Sequence, residues 1–149
     1  MAILGDSITV LGQARIRQIA DGYRFKVDAR IGATAEDMRS KVADLVRKHP
    51  RQVIVNLGTN DILQGLNPDD AVSTIGDIVG KFDAASCVHL VTVNEEMVAP
   101  AVPDLAARAR RLNTGLRKLA GEHARVSIID WNGLVADYVR AGQPDGQLT

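Results

Sequence analysis

The chain has 149 residues, 46% of them apolar, with 18 basic residues balancing 18 acidic ones. That is enough for one compact domain over residues 1–149 and too little for two. Balanced charge supplies no global field toward nucleic acid or an anionic surface, so the expected partner is a small molecule and not a nucleic acid.

Taken in chain order, the short apolar runs Ala2–Leu4, Tyr23–Val27, Gln52–Asn56, Val88–Val93 and Val126–Ile129 read as five strands. Between them lie segments of helical length and period: Val10–Ile19, Ala35–Lys48, Pro68–Phe82 and Pro103–Glu122. A shorter one, Asn132–Arg140, follows the fifth strand. Asn67 before Pro68, with Asp69 and Asp70 behind it, marks a helix start by three separate signals: a capping side chain, a proline at the first position and acidic residues in the first turn. In Pro103–Glu122 the residues Leu105, Ala109, Leu112, Leu116 and Leu119 form one stripe, and the arginines fall mainly off it on a solvated face.

Strands separated by helices of this length cannot pair as hairpins. The expected fold is therefore α/β: a three-layer α/β/α sandwich around a mostly parallel five-stranded sheet, flavodoxin-like in kind. Ligands of such sheets bind beyond the carboxyl ends of the strands. Three segments there stand out. Gly5-Asp6-Ser7 turns from the first strand into a helix, placing a hydroxyl near a helix N-terminus, where a nucleophile is favoured. Gly32, after the second strand, lets the backbone come close to a ligand and can offer its N–H to a developing oxyanion. Gly58-Thr59-Asn60-Asp61, after the third, supplies an amide donor beside a carboxylate. Each segment alone is read as a cap or a turn. Together they are how an oxyanion hole could be assembled beside a nucleophile.

Other residue types narrow the chemistry. Cys87 is the lone cysteine, so no intramolecular disulfide forms, and its apolar run suggests a buried, inert thiol. His49, His89 and His123 have no metal-ligand spacing, and no cofactor motif follows any strand, so neither a metal nor a cofactor is expected. No apolar run approaches the roughly 18 residues of a membrane-spanning helix. Met1–Leu4 is too short for the apolar core of a signal peptide, and the compartment stays open. Glu95 and Glu96 follow the fourth strand and border the same edge, where solvated loop carboxylates are the simplest reading.

The runs Ile3-Leu4-Gly5-Asp6-Ser7-Ile8-Thr9 and Val53-Ile54-Val55-Asn56-Leu57-Gly58-Thr59-Asn60-Asp61 resemble the first and third sequence blocks of the GDSL/SGNH hydrolases, with Gly32 at the place of the second. The resemblance implies a serine esterase or acyl-transfer enzyme acting on a small ester or an acylated carbohydrate. In it Ser7 is the nucleophile, and the Ser7 N–H, the Gly32 N–H and the Asn60 side chain form the oxyanion hole. It also implies an Asp-x-x-His near the C-terminus whose histidine is the general base. Here Asp145-Gly146-Gln147-Leu148 begins like that block, but Leu148 stands in the histidine's place and cannot accept a proton. The expectation is that the block and its following helix lie beyond Thr149. The alternative is a catalytically inactive binding module that keeps the serine edge as a pocket.

Overall fold

The computed structural model describes residues 1–99 and 101–142. In chain order the elements are β1 (Ala2–Gly5), α1 (Ser7–Ile19), β2 (Lys26–Ala29), α2 (Ala35–Arg39), α3 (Val42–Val46) and β3 (Gln52–Asn56), followed by α4 (Thr59–Leu63), α5 (Pro68–Gly80), β4 (Cys87–Val91), α6 (Leu105–Glu122), β5 (Val126–Ile129) and α7 (Trp131–Arg140). All neighbouring strands run parallel, in the order β2-β1-β3-β4-β5. This is the flavodoxin-like order; the strands are parallel because the helix after each one returns the chain to the sheet's starting edge.

The chain leaves β1 sideways for β2, then reverses past β1 to lay down β3, β4 and β5 in turn. Right-handed crossovers in opposite directions place their helices on opposite faces, so α1 stands alone against the group α2–α6. Side-chain alternation agrees. Ala2, Leu4, Val53, Val55, Val88 and Leu90 point into the main core with Leu45, Ile75, Ile78, Leu112 and Leu116. Out of phase with them, Asn56 faces α1 and donates to the Thr9 hydroxyl at 3.1 Å. α7 buries Val135 outside that main core.

Four elements depart from the periodicity reading, each for a local reason. The expected helix Ala35–Lys48 is two helices, because at Ser40–Lys41 the chain tightens into a turn: the Lys41 N–H bonds Met38 O at 3.0 Å and the Ser40 hydroxyl takes Asp37 O. Met38, Val42 and Leu45 keep their helical spacing across the break and are all buried, so the apolar pattern hides it. The second strand lies at Lys26–Ala29 and not Tyr23–Val27: the Tyr23 N–H closes the turn after α1 on Ala20 O, and pairing begins only where Lys26 meets Ala2. α1 starts at Ser7, three residues before the apolar stripe, because Asp6 caps it by accepting the Ile8 N–H at 3.0 Å. The segment read as a turn, Thr59–Leu63, is a one-turn helix entered through Gly58 at φ 110°.

Candidate active site

A doubly wound sheet opens a crevice where the winding reverses, here between the carboxyl ends of β1 and β3. The pairing Gly5↔Asn56 brings those two ends level. Ser7 lies two residues past one end and Asn60 four past the other, so both flank the crevice. Ser7 is the first residue of α1 and half-buried; as a first-turn residue its N–H has no acceptor within the helix. The close approach of β1 to α1 depends on Gly5, since a Cβ there would lie 2.0 Å from the Thr9 hydroxyl.

Gly32 sits in the exposed turn after β2 at φ 74°, where its carbonyl accepts from the Gln64 side chain at 3.0 Å. Among the described residues its N–H has no acceptor. The loop is pinned on its far side by a reciprocal cap: the Thr34 N–H donates to Asp37 Oδ2 at 3.0 Å and the Asp37 N–H to Thr34 Oγ1 at 3.2 Å. Arg30 adds an ion pair to Asp37 at 3.1 Å.

Asn60 is buried, and its Nδ2 donates to Ala33 O at 3.0 Å. An amide nitrogen carries two hydrogens, so this bond fixes the group and leaves its second N–H available. Asp61 beside it accepts the Ala35 N–H. The loops after β2 and β3 are therefore joined by bonds on both sides of Ala33, while Asn56 joins the end of β3 to α1. Ser7, Gly32 and Asn60 thus stand on three segments that follow successive strands at one edge.

Two carboxyls to which the sequence reading gave no role of their own, Asp6 and Asp61, lie buried beneath this edge. Asp6 is fully buried; Oδ1 accepts from the Ile8 N–H, whereas Oδ2 has no partner among the described residues. Burial raises its pKa from 3.8 to about 6 against the lowering effect of the Ile8 bond, and repulsion from Asp61 adds to the rise. Burial likewise raises the Asp61 pKa, again partly offset by the backbone bond from Ala35. The signal for Asp6 was the capping position itself: Asp6 and not Ser7 holds the cap, which leaves the serine hydroxyl uncommitted.

No histidine joins the edge. His49 precedes β3 and His123 follows α6, both at the amino end of the sheet, and His89 lies within β4 with Nδ1 at 2.7 Å from the Ser127 hydroxyl. Asp145 and Leu148 lie outside the described residues. Among the described residues no three His, Cys, Asp or Glu side chains gather as a metal site, and no helix is long and apolar enough to cross a membrane. Cys87, expected to be buried, is half-exposed at the start of β4, because its strand position points away from the main core.

Beyond the third strand the edge is polar. Thr92 donates to Asp130 at 3.2 Å, and Asp130 also caps α7 and pairs with Arg117 at 2.8 Å. Asn113 of α6, buried, brackets Val93: its Oδ1 accepts the Val93 N–H at 2.9 Å and its Nδ2 donates to Val93 O at 2.8 Å.

A profile of the GDSL-like Lipase/Acylhydrolase family matches residues 3–146. The chain belongs to that family of GDSL/SGNH hydrolases. Among solved structures it is similar to a member of the lipolytic G-D-S-L family from Veillonella parvula, at TM-score 0.80 and 21% identity over 95% of this chain and 82% of that one. It is also similar to the C-terminal catalytic domain of peptidoglycan O-acetyltransferase A from Streptococcus pneumoniae, at TM-score 0.72 and 18% identity over 95% and 75% of the two chains. A third likeness is to AlinE4, an SGNH-hydrolase family esterase, at TM-score 0.69 and 22% identity over 91% and 79%. At these identities the likeness carries the three-layer fold. No curated protein matches the sequence.

Proposed function

We propose that this GDSL/SGNH hydrolase domain cleaves or transfers the acyl group of carboxylic esters through an acyl-enzyme on Ser7. In this reading Ser7 Oγ attacks the ester carbonyl carbon and gives its proton to a base. The carbonyl oxygen takes the negative charge, the alcohol leaves with a proton returned by that base, and water or a second alcohol then releases the acyl group from Ser7. The charge would be met by the N–H groups of Ser7 and Gly32 and by the free N–H of Asn60. Preorganised donors of this kind are each worth roughly 3 to 4 kcal/mol to the transition state.

One observation carries the reading: the Asn60 amide is buried and tethered to Ala33 O, so its remaining N–H is fixed without needing to reorganise when charge develops beside Ser7. The AlinE4 esterase and the O-acetyltransferase domain, whose names state ester and acetyl chemistry, support the substrate class. We assign the general base to a histidine outside residues 1–149, since His49, His89 and His123 all stand away from the edge.

The test is hydrolysis of p-nitrophenyl acetate by the product of the whole gene, with mass spectrometry after a fluorophosphonate. The expected result is turnover lost in Ser7→Ala and a single adduct on the peptide carrying Ser7. Turnover surviving in Ser7→Ala overturns it. The distance of every histidine from Ser7 favours one second reading, an inactive module that binds esters without cleaving them; it predicts binding with no turnover and no adduct.

A further inference from the structure

Glu95 follows β4 at the carboxyl edge, and β4 lies two strands from the nucleophile's strand β1, about 10 Å from strand to strand. It is held from both ends. Its N–H donates to Asn132 Oδ1 at 2.8 Å, and its Oε1 accepts from Asn113 Nδ2 at 2.8 Å. Both hydrogens of Asn113 are thereby committed, one to Val93 O and the other to Glu95, and its oxygen accepts the Val93 N–H. A buried asparagine thus fixes the rotamer of a half-buried carboxylate that has no cationic partner among the described residues. Glu95 Oε2 is left without a partner there.

The neighbouring amides are arranged in the complementary way. Asn132 spends its oxygen on the Glu95 N–H, and Asn94 spends its oxygen on the Glu96 N–H at 2.9 Å. Among the described residues the NH₂ groups of both asparagines have no acceptor. The loop and the start of α7 thus hold two fixed donors and one fixed acceptor in a single bonded cluster. A hydroxyl is the group that both gives and takes a hydrogen bond, and a set of adjacent hydroxyls matches this alternation, whereas an ammonium would engage the carboxylate alone and leave both amides unmet. Trp131, the chain's one tryptophan, stands half-buried beside Asn132 at the same edge. Indole combines a flat apolar body with a polar tip, the pairing that suits the mixed surface of a sugar ring.

We propose that Asn94, Glu95 and Asn132 form a subsite for the hydroxyl groups of a sugar-like polyol, the alcohol half of the ester cleaved at Ser7. The clause about cleavage rests on the hydrolase reading above; the subsite itself does not. The bond from Asn113 makes Glu95 a preorganised acceptor, so a hydroxyl ligand is met without ordering the side chain first.

Trp131 provides a readout independent of turnover. The Ser7→Ala form is titrated with xylotetraose, with N,N′,N″,N‴-tetraacetylchitotetraose and with choline while its tryptophan fluorescence is followed. One of the two oligosaccharides is expected to give a saturable change, weakened tenfold or more by Glu95→Ala and unaltered by Ile31→Ala on the opposite side of the crevice, with every variant folded by circular dichroism at the temperature of the titration. Silence from both oligosaccharides, equal binding by Glu95→Ala, or a response to choline alone overturns the subsite. Sugar binding without Ser7-dependent hydrolysis of p-nitrophenyl acetate by the whole gene product leaves the subsite standing and removes the hydrolase reading. Hydrolysis without sugar binding removes the subsite only.

Discussion

Asp61 holds the backbone N–H of Ala35 between its two carboxylate oxygens, at 3.2 and 3.0 Å, in the protein interior. The bond ties the first residue of α2 to α4 and so fixes the loop carrying Gly32 against the loop carrying Asn60. In Asp61→Ala that N–H is left buried and unmet, a loss of about 1–3 kcal/mol. Asp61→Asn keeps one acceptor oxygen and is expected to lose less. Urea unfolding of the three proteins orders them; equal midpoints for Asp61→Ala and the parent would show that the clamp contributes nothing.

Asp6 makes stability depend on pH in the direction opposite to an ordinary paired carboxylate. Its folded pKa, raised from 3.8 to about 6, lies above the unfolded value, so between those limits the folded state binds more protons. Stability therefore falls as the pH rises through this window, by roughly 2–3 kcal/mol, and stays at the lower level above it. Asp61, also raised, acts with the same sign. Asp6→Asn retains an oxygen for the Ile8 N–H and cannot ionise. The expected outcome is a flatter curve of unfolding free energy against pH from about 4 to 6. A parent and a variant whose curves run parallel there would dismiss the buried charge.

Gly58 admits no side chain for two reasons that act together. Its φ of 110° lies where a Cβ is strained, and that Cβ would stand 3.0 Å from both methyls of Leu112. Leu112 is fully buried and cannot move aside. Gly58→Ala is expected to destabilise by about 1–3 kcal/mol and to loosen the helix that carries Asn60. A melting temperature unchanged from the parent's would refute this.

The order of strands and helices was legible because apolar runs and helical stripes alternate cleanly, and because the packed residues of α5 and α6 are the ones whose spacing announces them. Gly5, Ser7, Gly32 and Asn60 were legible as positions after strands. What joins them was not. The tether from Asn60 to Ala33 O and the clamp of Asp61 on Ala35 link residues more than twenty apart through backbone atoms, which carry no mark in the sequence. The helix α4 was hidden because Asn and Asp are turn formers, and only the partners supplied by the loop after β2 hold them in a helical turn. Asn113 was equally silent: a polar residue within a mostly basic and apolar helix, its purpose visible only once Val93 and Glu95 are seen around it.

Asn60→Ala should separate electrostatic stabilisation from binding. Removing a donor that strengthens its bond only as charge develops lowers kcat by about 10²–10³ while leaving KM nearly unchanged. Steady-state kinetics on p-nitrophenyl acetate provide the check, and a rise in KM at constant kcat would mean that the amide merely holds the ground state.

If the base is supplied from outside residues 1–149, a diffusible one should partly replace it in the 149-residue chain. Added imidazole is expected to raise its hydrolysis of p-nitrophenyl acetate beyond the reaction of imidazole alone, and Ser7→Ala should remove the increment. An increment of the same size in Ser7→Ala would place the reaction elsewhere.

The brackets that Asn113 places on Val93 lie just upstream of the loop proposed above to meet a polyol: the backbone is gripped at one residue, and the next few carry the polar side chains. A library randomised at residues 94, 96 and 97 would therefore vary the loop while leaving untouched its anchors at Asn113 and Asn132 and everything contributed by the first sixty-one positions. The molecule is divided along its chain in a way that suits recombination, with a constant amino-terminal part and an exchangeable recognition loop.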